Sequence, residues 1–162
     1  MKTLLLLRHA KSDYPGGVSD HDRPLAPRGI REAALAGDWL RTQPAIDAVL
    51  CSTATRTRLT LERTGIDAPV RFVDRLYDAT PGIVISEINA VADDVDTLLV
   101  IGHEPVMSGL ALGLADDSSD PEVIAAVETK YPTSVIAMLR VPASWRELQL
   151  GGAQLAAFHI PR

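Results

Sequence analysis

The run Thr3-Leu4-Leu5-Leu6-Leu7 is apolar, has the length of a strand, and stops abruptly at Arg8-His9-Ala10-Lys11-Ser12-Asp13. Such a run predicts a buried strand that delivers polar residues at its carboxyl end. Ile46–Cys51, Val70–Val73 and Thr97–Ile101 predict further strands, the last apolar throughout and therefore central. Between them the apolar spacing becomes helical. Pro27 suits a first helical turn, and Ile30, Ala33, Ala34, Gly37 and Trp39-Leu40 continue the pattern to Arg41. Ser52-Thr53-Ala54-Thr55-Arg56-Thr57-Arg58 leads into a helix running to about Thr64, with Ser52 or Thr53 as its cap and Gly65 as its stop. Thr80-Pro81 opens another, with Val84, Ile88, Val91 and Ala92 on one face. After Gly102-His103-Glu104-Pro105 a helix reaches Leu114, with Val106, Leu110, Ala111 and Leu114 inward, and Asp120-Pro121 starts a short one through Val127. Val135–Val141 and Ala153–Ile160 are closing strands, and Trp145 and Leu148 in their connection fold back on the core.

Strands alternating with helices predict an α/β fold, a three-layer α/β/α sandwich around a mostly parallel sheet. The last two strands lack a crossover helix between them, so they pair antiparallel at one edge. No repeat, low-complexity segment or linker interrupts the 162 residues, and a single domain over residues 1–162 is expected. The polar loop Lys11–Ala26 is sixteen residues long, a length that in compact domains often carries function.

Composition narrows the picture. Only 4% of residues are aromatic against 46% hydrophobic, so the core is aliphatic. A net charge of −5 argues against nucleic acid as a partner. Cys51 is the one cysteine, which precludes an intramolecular disulfide and paired-cysteine zinc motifs; at the end of an apolar strand it reads as a small core residue rather than a reactive thiol. Thr3–Leu7 is too short for a signal peptide, whose apolar region runs about 7–15 residues. No run approaches the ~20 residues of a membrane span. A cytoplasmic location, with no membrane partner, is the expectation.

The carboxyl ends of parallel strands are where ligands bind. Arg8-His9 ends the first strand, Arg56 follows the second by one helical turn, and Gly102-His103 ends the fourth. These residue types suit a phosphoryl group. Guanidinium forks match phosphate oxygens, helix amino termini after Ser52 and His103 add positive potential, and a histidine with a deprotonated nitrogen can attack phosphorus. Phosphoryl transfer asks mainly for positioning and charge neutralisation. The arrangement requires no cofactor or metal; Asp20-x-Asp22 is a weak metal signal beside its alternative as a loop cap.

On Leu6-Leu7-Arg8-His9-Ala10-Lys11-Ser12, Asp22-Arg23-Pro24-Leu25 with Arg28-Gly29, Ser52-x-Ala54-x-Arg56-Thr57, Leu76-Tyr77-x-Ala79 and Gly102-His103-x-Pro105, the chain resembles the histidine phosphatase superfamily (phosphoglycerate mutase-like). It is most similar to the small SixA-type phosphohistidine phosphatase branch. The resemblance implies a phosphoglycerate mutase-like fold and a metal-independent phosphatase, with His9 transiently phosphorylated and Arg8, Arg56 and His103 forming the phosphate pocket. Arg23 either reaches that pocket or pairs with an aspartate to hold its loop. Two departures stand out: Ala10 replaces the glycine frequent in the superfamily, and no strong general acid is evident. Asp78 is nearest by position, and it equally suits a solvated loop or cap. Imidazole leaves well once its other nitrogen is protonated, so a site without a strong acid suits protein phosphohistidine, with inorganic phosphate as the product. The alternatives are a phosphatase of a small phosphorylated metabolite and a non-catalytic phosphate-binding domain on the same fold.

Overall fold

The leucine run becomes β1 (Lys2–Arg8), and its alternation divides the core in two. Leu4 and Leu6 enter one apolar cluster, Leu5 and Leu7 another on the opposite face of the sheet. The computed structural model describes residues 1–162 as a mixed six-stranded sheet with five helices. The remaining strands are β2 (Ala48–Ser52), β3 (Val70–Val73), β4 (Thr97–Gly102), β5 (Ile136–Val141) and β6 (Gln154–His159). Their order is β3-β2-β4-β1-β5-β6. The first four run parallel, and β5 is antiparallel to both β1 and β6, so the edge pairing is antiparallel as expected. β4 is buried at every position, in keeping with its place at the centre.

The helices are α1 (Pro27–Leu40), α2 (Thr55–Thr64), α3 (Pro81–Asn89), α4 (Val106–Leu114) and α5 (Pro121–Thr129). α1 covers Leu5 and Leu7 through Ala36 and Leu40. α3, α4 and α5 cover the other face through residues such as Val84, Leu110 and Val127. Trp145 is fully buried, and its indole N–H donates to the Val95 carbonyl at 2.7 Å, so the β5–β6 connection does fold back.

Three local expectations need correction. Ala34 is exposed, and the buried stripe of α1 runs through Gly29, Ala33, Ala36 and Leu40. α3 stops at Asn89, so Val91 and Ala92 lie beyond it, and Ala92 is exposed. α2 is not capped by a Ser52 or Thr53 side chain; its N-cap is Ala54 without a side-chain bond. Ser52 belongs to β2, and its hydroxyl is used elsewhere. The stop at Gly65, by contrast, is as expected, with φ 71° in the left-handed region.

Two glycines of α1 set its distance from its neighbours. A Cβ at Gly29 would lie 2.1 Å from the Lys11 carbonyl oxygen, and one at Gly37 would lie 2.1 Å from that of Thr64. Both obstacles are backbone, which cannot swing aside. Gly37→Ala should therefore destabilise the protein by about 1–3 kcal/mol through overpacking. Urea unfolding measures this, and a midpoint equal to the wild type would refute the close-contact account.

Candidate active site

The parallel register sets Arg8 opposite Gly102. The His9 N–H then donates to the Gly102 carbonyl at 3.0 Å, so the next residues of the two strands, His9 and His103, become neighbours. Their ring centroids are 5.2 Å apart. On the far side of β4, β2 brings Ser52 to the same level, with its hydroxyl oxygen 2.8 Å from His103 Nε2. α2 begins three residues after Ser52 and places Arg56 in its first turn. The expected four residues are thus brought together.

His9 is 7% exposed, and its Nδ1 lies 2.7 Å from the Ala10 carbonyl oxygen. A carbonyl only accepts, so Nδ1 carries the proton and Nε2 keeps a lone pair. Burial, with help from His103, Arg56 and Arg8, lowers the His9 pKa to about 3. Burial and then Arg56 lower that of His103 to about 4. Both rings are therefore neutral near neutral pH. Arg8 donates through Nη1 to the Tyr131 carbonyl at 2.8 Å. Its Nε, the Arg56 Nε and the His103 Nδ1 are buried without partners. Unpaired buried guanidinium donors are costly, and an oxyanion would satisfy them.

Further contacts brace these side chains. The Thr60 hydroxyl accepts from the Ala10 N–H at 2.9 Å and donates to the Arg56 carbonyl at 2.7 Å. The Ser134 N–H donates to the carbonyls of both Arg8 and His9 at 3.1 Å. Ala10, the departure from glycine, is fully buried against Leu25 and Ala33. Cys51 is buried among apolar side chains, and burial pushes its thiol up to about 12, which suits a core residue.

Two cavities open here. The inner one, about 220 Å³, is lined among others by Arg8, His9, Lys11, Arg23, Arg56 and His103. The outer one, about 350 Å³, is lined by Asp20, Arg56, Tyr77, Asp78, His103 and Glu104. Arg23 was expected either to reach the pocket or to hold its loop. It borders the inner cavity, and it holds the loop by bonding Asp20 Oδ1 at 3.1 Å and the Ser12 hydroxyl at 2.7 Å. Asp78 is exposed at the outer cavity, on a backbone with φ 58°.

Asp20 is the main site residue that sequence reasoning missed. Weighed there only as a loop cap or a weak metal signal, it faces the site: its backbone carbonyl accepts from Arg56 Nη1 at 2.7 Å and its Oδ2 from Arg56 Nη2 at 3.2 Å. The Tyr77 hydroxyl also donates to Oδ2. That bond first, then the nearby guanidinium groups, hold the Asp20 carboxyl at about 2 despite some desolvation. The spacing Asp20-x-x-Arg23 was the available signal. For Ser134, a buried non-glycine with φ 67°, there was none.

The sequence profile of the histidine phosphatase superfamily (branch 1) matches residues 4–93. The chain belongs to this superfamily. Among similar proteins, an uncharacterized protein of Mycobacterium tuberculosis is 61% identical over 158 residues, 96% of this chain and 100% of that protein. A structure from Nakamurella multipartitia, provisionally named phosphohistidine phosphatase SixA, is 41% identical with a TM-score of 0.89, covering 99% of this chain and 96% of that one. A protein histidine phosphatase SixA complexed with tungstate is 25% identical with a TM-score of 0.79, covering 98% and 97%. No helix of this histidine phosphatase is long and apolar enough to cross a membrane.

The neutral histidines make stability depend on pH. In the unfolded chain a histidine titrates near ~6.5, whereas here His103 titrates at about 4 and His9 at about 3. Between those limits the unfolded state binds more protons, so stability falls as pH falls through that window. His103→Gln should lessen this slope in denaturant unfolding followed from neutral pH to about pH 4.5. Equal slopes for variant and wild type would mean that His103 is not held neutral in the fold.

Proposed function

We propose that residues 1–162 form one histidine phosphatase domain that removes a phosphoryl group through a phosphohistidine intermediate on His9, with protein phosphohistidine as its substrate. The carrying observation is the His9 ring, whose Nδ1–H is tied to the Ala10 carbonyl and whose Nε2 lone pair remains free. The unpartnered Nε groups of Arg8 and Arg56 support a phosphoryl group at the same place.

Nε2 attacks phosphorus and forms a new N–P bond while the bond to the leaving group breaks. Arg8 and Arg56 neutralise the equatorial oxygens, Arg23 adds charge from the loop, and His103 donates to a non-bridging oxygen. Water then attacks the phosphorylated His9, and the N–P electron pair returns to Nε2. The cations of the pocket meet the phosphoryl charge, so the reading needs no metal. The outer cavity receives the leaving group. Glu104 there accepts from the Ser108 N–H and hydroxyl, at 2.6 and 2.7 Å, and Asp20 is tied to Arg23, Arg56 and Tyr77, so the exposed Asp78 is the carboxyl best suited to serve as acid or base. Departure of a protonated imidazole makes little demand on such an acid. The similarity to SixA structures, one of them holding the tetrahedral oxyanion tungstate, favours the same substrate class.

Brief reaction with a phosphohistidine protein, followed by an alkaline denaturing quench, should trap an acid-labile phosphoenzyme in the wild type and none in His9→Ala. Arg56→Ala should lose both turnover and phosphate binding, since each charge-assisted bond contributes roughly 1.5–3 kcal/mol. In a panel of phosphohistidine protein, sugar phosphates and p-nitrophenyl phosphate, the first should be preferred, with or without a chelator. Far greater activity on sugar phosphates would favour the small-metabolite reading, and undiminished turnover in His9→Ala would sink the mechanism.

A further inference from the structure

The two cavities differ in charge. The inner one carries the cations of Arg8, Lys11, Arg23 and Arg56 against the one carboxyl group of Glu104, whereas the outer one presents the carboxyl groups of Asp20, Asp78 and Glu104 against Arg56 alone. They meet at Arg56, His103 and Glu104, which line both. Arg56 is 6% exposed and its Nε has no partner, so an anion is called for at the junction. In-line attack expels the leaving group on the side of phosphorus away from His9. The outer cavity, which His9 does not line, is that side.

Asp20 is fixed there on three sides. Its carboxylate accepts from Arg23 Nε, Arg56 Nη2 and the Tyr77 hydroxyl, and the Tyr77 ring is packed edge-on against His21 at 4.8 Å. A carboxylate offers about four acceptor directions, and this side chain is 57% exposed. One acceptor direction remains, on a side chain that lines the outer cavity.

We infer that Asp20 determines leaving-group specificity: its carboxylate accepts the remaining N–H of a phosphorylated imidazole and, with Asp78, disfavours leaving groups that carry a second anion. The inference rests on the phosphatase reading above and says which substrates that site prefers. An adjacent carboxylate favours the protonated ring. The other groups facing the ring's place are Asp78, Glu104, His103 and Arg56, while Arg23, Arg56, Tyr77 and His21 surround Asp20. When His9 Nε2 forms its bond to phosphorus, the substrate P–N bond breaks and its electron pair returns to the ring nitrogen. The ring departs as neutral imidazole, keeping its other N–H on Asp20. Without that proton it would have to leave as imidazolate, a far poorer leaving group.

The test compares wild type, Asp20→Asn and Asp78→Asn on phosphoimidazole, p-nitrophenyl phosphate and phosphoglycolate, whose leaving side carries a carboxylate. In Asp20→Asn the ratio of kcat/KM for phosphoimidazole to that for phosphoglycolate should fall by at least about fivefold. The alkaline limb of kcat for phosphoimidazole should also move to lower pH, because the bound ring loses its proton more readily. Asp78→Asn, which removes no bond to Arg56, should lower the ratio in the same sense. A role confined to bracing Arg56 would depress all three substrates together, with ratio and limb unchanged, and that result overturns the inference alone. A wild type that turns over none of the substrates and forms no phosphoenzyme overturns the phosphatase reading and this inference with it.

Discussion

The site depends on the register between two parallel strands. Arg8 pairs with Gly102, and from that match the facing positions of His9 and His103 follow. A slip of one residue would turn every side chain of β1 to the opposite face. It would exchange the leucines between the two clusters as well as separate the histidines. Both halves of the core therefore enforce the register: Leu4 and Leu6 are buried on one face, Leu5 and Leu7 on the other, all at 0% exposure. The placement of the histidines is thereby supported by the packing of the whole centre of the sheet.

Around that pair the protein assembles positive charge in a chain whose net charge is −5. Desolvation keeps both rings neutral, so the cations that remain are guanidinium and ammonium groups. That division of labour leaves nucleophilic character on the imidazole and permanent charge on the arginines. The unpaired donors of Arg8 and Arg56 show that the protein's own hydrogen bonds do not satisfy this arrangement.

Much of this was legible in the sequence. A five-residue apolar run bounded by Arg8-His9 announces a buried strand with a polar exit, and alternation of strands and helices predicts which ends share a side. What stayed hidden involves specific pairing. Asp20 lies in a loop without periodicity, so its partners Arg56 and Tyr77, 36 and 57 positions away, left no local pattern. Ser52 looked like a helix cap because serine often is one, but its hydroxyl is paired with His103. Val91 and Ala92 continue an apolar spacing, yet spacing does not distinguish a last helical turn from the bend that follows it. Ser134 adopts a left-handed backbone that its residue type does not advertise.

α1 contributes no side chain to the lining of either cavity, yet it touches both arms of the site. At Gly29 it abuts the carbonyl of Lys11, which follows the His9 strand, and at Gly37 the carbonyl of Thr64, which ends the Arg56 helix. It thus works as a gauge block, with two bare faces setting the gap between the parts it separates. Its outer positions Arg31, Ala34, Leu35 and Asp38 are exposed. The tolerance of the pocket is therefore written at two positions where the side chain is missing, on a helix that lines neither cavity.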